Sequence, residues 1–223
     1  MKNNKERLSL ALIFSLFFLW AISSNLLPTM IRQLMKTCEL STFTASFTES
    51  AYWIAYFIFP IPIAMFMKKY SYKAGVIFGL SLSAFGCLLF LPAAVVKAYP
   101  MYLAVFFVIA TGMCFLETAA NPYVTSLGNP GTAPRRLNLA QAFNPIGSLC
   151  GMSVASFIIL PNLLSDERDA PGNIIFGLKS QAEQADIRLH DLAVIRDPYV
   201  VLGLVVLMMF ILIVVVMVMM FMF

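Results

Sequence analysis

Residues 101–124 read MYLAVFFVIATGMCFLETAANPYV, and this stretch decides the fold. Crossing about 30 Å of hydrocarbon takes on the order of 20 apolar residues in a helix. The stretch meets that length with a single charge, Glu117, inside it. Comparable blocks stand on either side, separated by Lys, Arg, Asp and Glu. Six spans result, at about Leu8–Ile31, Thr48–Met67, Ala74–Val96, Met101–Val124, Leu137–Leu160 and Tyr199–Met222. Backbone groups in lipid must be bonded within their own segment, so each span predicts a helix. Pro28, Pro60, Pro62, Pro92, Pro122 and Pro145 fall inside spans and predict kinks, which a helix bundle tolerates.

Composition agrees. The chain is 61% hydrophobic and 12% charged, where soluble domains are roughly half apolar and about a quarter charged. An all-α membrane protein follows, with the lipid bilayer as its first partner. The net charge of +4 resides in basic residues that flank helices, which is no nucleic-acid signal. Cys87, Cys114 and Cys150 lie in apolar blocks, and His190 is the single histidine. No spacing fits a metal site, so the cysteines read as small packing residues, and neither metal nor cofactor is expected. The basic start followed by an apolar run resembles a signal peptide. The uncharged run from Leu8 to Ile31 outlasts the 7–15 residues of a signal core, however, and predicts an uncleaved first helix.

Basic residues in short flanks set the orientation. The N-terminus, the 68–73 loop and the 125–136 loop hold Lys2, Lys5, Arg7, Lys68, Lys69, Lys73, Arg135 and Arg136. The opposite short loops hold Arg32, Lys36 and Lys97. This asymmetry places both termini in the cytoplasm and the long loop 161–197 outside. That loop is rich in acids and reads as a solvated cap, with an amphipathic surface helix from Lys179 to Ile195. The sixth span ends wholly apolar at Phe223 with no basic anchor after it, which reads as a chain cut at the middle of a longer one.

Glu117 is the one acid in the middle of a span. A charged group at the bilayer centre costs about 2.5–3.5 kcal/mol on insertion scales, so the residue is expected to face the bundle interior or a watery cavity. A carboxyl in low dielectric can take a proton on one side of a membrane and lose it on the other. A structural acid bonded to neighbouring helices is the alternative. One turn on, Asn121 shares its face beside Pro122. The fifth span carries a polar stripe, Asn138, Gln141, Asn144 and Ser148, at spacings of three, three and four. Each amide presents donors and an acceptor, which suits sugar hydroxyls and suits interhelical bonding equally. On the second span Glu49, Tyr52, Trp53 and Tyr56 fall on one helical face. Aromatic faces stack on sugar rings and also mark membrane interfaces; Tyr56, the deeper, is the better ligand candidate. No P-loop, H-E-x-x-H or G-x-S-x-G is present, and nothing argues for an enzyme.

Several runs resemble one group. They are Phe17–Ala21 (FFLWA), Tyr56–Pro62 (YFIFPIP), Met67–Gly75 (MKKYSYKAG), Cys114–Pro122 (CFLETAANP), Arg136–Asn144 (RLNLAQAFN) and Asp197-Pro198-Tyr199. In this order they are similar to signatures of the L-fucose:proton symporter group (fucose, galactose and hexose symporters) of the major facilitator superfamily. The resemblance implies the first half of that fold: six helices in a 3+3 inverted repeat over 1–223, rocking against a second half around a midplane site. It also implies a bacterial inner-membrane protein, with sugar and proton as partners. Glu117 then carries the proton and touches sugar, while Asn121, Asn138, Gln141, Asn144 and Tyr56 bind hydroxyls. Members carry an aspartate in the first helix; here the aligned run is Ser24-Asn25-Leu26-Leu27-Pro28, without the acid. The expected function is sugar:proton symport with the C-terminal six helices missing. A non-transporting six-helix product and a self-pairing half-transporter are the alternatives.

Overall fold

Nearly every residue enters a helix. The computed structural model describes residues 2–169 and 172–222, with side chains described for 8–36, 38–169 and 172–215. The basic flank Lys2, Lys5 and Arg7 and the apolar end beyond Val215 therefore lie outside the described side chains. Among the described residues, eight α-helices run in order: α1 Lys2–Thr37, α2 Thr42–Ile58, α3 Pro60–Lys69, α4 Tyr72–Leu88, α5 Phe90–Val96, α6 Tyr99–Ser126, α7 Ala133–Val154 and α8 Gln181–Met222. Five stretches are each long and apolar enough to cross a membrane, and α2 with α3, bent by 41° at Phe59, supplies the sixth. The bend falls before Pro60, which has no N–H to bond the preceding turn and opens α3.

Several boundaries differ from those expected. The first helix runs beyond Ile31, because Gln33 and Leu34 are buried and continue its packed face. The largest difference is the loop 161–197. Residues 181–197 are the opening turns of the same helix that forms the sixth span, and Pro198 lies inside it. A separate surface helix ending at Ile195 is therefore incorrect. The physical reason is a buried stripe that does not stop at the proline: Ile187, Asp191, Ile195, Tyr199, Leu202 and Val206 recur at helical spacing. Nor is the loop simply solvated. Asp191 is 1% exposed, and its carboxylate accepts the backbone N–H groups of Leu164 at 2.9 Å and Ser165 at 3.1 Å. Lys36 pairs with Asp166, and Arg188 meets Glu39 at 2.6 Å. These bonds tie the end of α1, the 163–180 loop and the start of α8 together.

Small residues set the closest helix contacts, as expected where lipid supplies no hydrophobic drive between helices. A methyl on Gly79 would sit 2.9 Å from Phe115 Cβ and 3.0 Å from the Gly112 carbonyl, and one on Gly86 2.9 Å from the Ile109 nitrogen. The same closeness holds between α7 and α1, where Gly147 lies against the Phe18 carbonyl and Gly151 against that of Ile22. The core of α6 is buried almost throughout, so this helix is the axis of the bundle.

Candidate functional site

Glu117 projects from the central helix at a half-buried position. It faces a recess of about 10 Å³ lined by Leu16, Phe17 and Trp20 of α1 and by Leu116 and Ala120. A space of that size has room for about one water. No Lys or Arg lies in α6, and no described residue bonds or pairs with the Glu117 carboxylate. An acid placed there for structure alone would be expected to hold such a partner.

Trp20 joins this recess to α2. Its indole N–H donates to Tyr56 Oη at 2.7 Å. Tyr52 stacks on Tyr56 with ring centroids 5.6 Å apart, and its hydroxyl is 3.2 Å from Ser24 Oγ. Helices α1 and α2 thus share one aromatic and hydroxyl cluster, and α6 borders it at the Glu117 recess. Trp53 is exposed, yet its ring centroid lies 5.5 Å from that of Tyr52 and 5.6 Å from that of Tyr56. Of the four residues on the expected face of α2, Tyr52, Trp53 and Tyr56 pack together, and Glu49 is exposed.

The amides divide. Asn121 donates to the Glu117 carbonyl at 3.2 Å, while its Oδ1 is buried with no described partner. In this arrangement the Asn121 amide serves its own helix. Asn138 and Gln141 are exposed and Asn144 is half-buried along one edge of α7, and none of the three bonds to a described residue. Ser148 is engaged, accepting at 3.0 Å from Asn25, which also donates to the Ala21 carbonyl at 2.8 Å. Asn25 and Ser148 thus pin α1 to α7 beside Gly147, leaving the three amides above that seam free. Sequence reasoning missed the Trp20–Tyr56 and Tyr52–Ser24 links. One signal was available: Trp20 stands mid-span, away from the interfaces that tryptophan favours.

Residues 8–164 match the family model of the Major Facilitator Superfamily. The chain belongs to the major facilitator superfamily. Among proteins of this superfamily, it is 47% identical over 195 residues to the L-fucose-proton symporter of Haemophilus influenzae, covering 87% of this chain and 46% of that one. It is 41% identical over 199 residues to the L-fucose-proton symporter of Escherichia coli, covering 89% and 44%. A glucose/galactose transporter of Brucella abortus is 39% identical over 145 residues, covering 65% and 35%. The crystal structure of the major-facilitator transporter FucP in its outward conformation superposes with a TM-score of 0.80 at 37% identity, covering 95% of this chain and 50% of that one. The chain spans about half the length of the curated relatives it matches. It is a multi-pass membrane protein with the six-helix, half-facilitator fold, and its relatives of known kind are transporters, not enzymes.

Proposed function

We propose that this six-helix bundle is one wall of a sugar:proton symporter for L-fucose or a related hexose. The observation that carries the reading is Glu117, a carboxyl on the central helix with no partner among the described residues, set beside Trp20, which bonds Tyr56. Glu117 takes a proton from one side of the bacterial inner membrane and gives it up at the other. Gln141, Asn144 and Asn138 bond sugar hydroxyls along α7, Tyr56 packs on the ring, and Asn121 joins by swinging off the Glu117 carbonyl. With no acid in the apolar part of α1 from Leu8 to Lys36, coupling rests on one carboxyl and therefore on one proton per sugar.

The bundle works with a second six-helix unit, whether on the same polypeptide or another. Supporting this are the exposed amides Asn138 and Gln141, which are costly against lipid. In the facilitator fold the substrate lies between two such units, and one rocks against the other. Vesicles holding these 223 residues alone are expected to accumulate no L-fucose under a proton gradient, whereas vesicles also holding a complementary six-helix unit do. Accumulation by the 223 residues alone would replace the second unit with a second copy.

Both termini lie in the cytoplasm in this reading, and the 163–180 loop lies outside. Ser71 and Ser180 are both exposed and suit cysteine labelling after the four native cysteines are replaced. In intact cells a membrane-impermeant maleimide is expected to label Ser180→Cys and spare Ser71→Cys. The reverse pattern would invert the topology.

A further inference from the structure

A groove of about 610 Å³ opens between α1, α7 and α8, its walls including Ile22, Ile158, Val201 and Val205. It is separate from the Glu117 recess. Its origin lies in the inverted repeat, in which the third and sixth spans are equivalent. Glycines close the third span onto the fourth, through Gly79, Gly86 and Gly112. The sixth span has no such contact with the first, because Gly203 of α8 packs on Cys87 of α4 instead. A π-helical turn at Ala155–Ile159 widens α7 where it borders the gap, and wide turns of this kind favour functional sites.

We infer that the groove binds one ethanolamine phospholipid, its acyl chain between α1, α7 and α8 and its headgroup at Arg196 and Asp197. Lining residues His190, Val194, Val201 and Val205 recur along one face of α8, over about 22 Å at 1.5 Å per residue. One leaflet offers about 15 Å of hydrocarbon, half the bilayer core, so one end of the groove reaches the headgroup layer. That end is marked by Asn162, His190 and Asp197. From Asp197 to Val205 the helix descends about 12 Å, and every lining residue there is apolar, so hydrocarbon and not water fills it. Charge selects the headgroup. Arg196 donates to Asp197 Oδ1 from Nε at 2.8 Å and from its terminal nitrogen at 2.6 Å, leaving Oδ2 without a described partner. Cation and anion stand side by side, matching a phosphate followed by an ammonium. A glycerol headgroup offers Asp197 no cation, and a choline offers it no N–H donor.

The test is native mass spectrometry of the full chain, stripped of lipid in detergent and titrated with palmitoyl-oleoyl phosphatidylethanolamine, phosphatidylglycerol or phosphatidylcholine. One phosphatidylethanolamine is expected to be retained, with about a tenfold preference over the other two. Val201 is 59% exposed, so Val201→Trp fills the groove without disturbing the core and is expected to abolish retention of all three. Asp197→Asn, at an exposed position, is expected to lower phosphatidylethanolamine to the level of the others while leaving the fold intact. Equal retention of the three lipids, or retention unaffected by either variant, would overturn the assignment.

Discussion

Replacing Gly112 with valine is expected to yield aggregate in place of a monodisperse bundle. At this position α6 lies against α4 with no room for a side chain. A Cβ would run into Ser83 Oγ, stand 2.6 Å from the Ser83 nitrogen and 3.0 Å from the Gly79 carbonyl. Backbone atoms cannot rotate aside, so the helices must part. Parting them opens the neighbouring contacts of Gly79 with Phe115 and of Gly86 with Ile109. Overpacking of a core costs about 1–3 kcal/mol or more, and van der Waals contact is the main force joining helices in lipid. Size-exclusion chromatography of a fluorescent fusion reads the result. Gly177, with nothing within 4 Å of a built Cβ, is the control, and Gly177→Val should elute as the parent does.

The second large effect is functional. Glu117→Gln, in the bundle paired with its second unit, is expected to abolish accumulation while leaving sugar exchange across the membrane. Glutamine keeps the shape and the hydrogen-bonding capacity toward sugar but cannot carry a proton. One pH unit stores about 1.36 kcal/mol per proton, enough for about tenfold accumulation at one proton per sugar. In the variant the inner concentration should rise only to the outer one. The substitution should also fold normally, because the carboxylate bonds to no described residue and its loss leaves no partner stranded.

Glu117 was legible in the sequence because an isolated acid inside a span is expensive, and cost leaves a mark that needs no structure. The six spans were legible for the same reason, since hydrocarbon demands length and apolarity of each segment independently. What sequence obscured is what depends on a neighbouring helix. Trp20 and Tyr56 are 36 residues apart, and only the packing of α1 beside α2 brings the indole to the phenol. Pro198 reads as a helix boundary on local grounds, yet the buried stripe through Ile195 and Tyr199 carries the helix across it. The amide stripe of α7 was visible as spacing. Which members were free was not, because Ser148 is taken by Asn25 across the Gly147 seam.

In the proposed symport Glu117 moves a proton together with sugar. The most direct test of this coupling is a pH electrode in a weakly buffered suspension of vesicles holding the bundle and its second six-helix unit. Adding L-fucose without an imposed gradient should alkalinise the medium, as protons enter with the sugar, and the signal should vanish in Glu117→Gln. Alkalinisation that persists in Glu117→Gln, or sugar entry with no pH change in the parent, would contradict it.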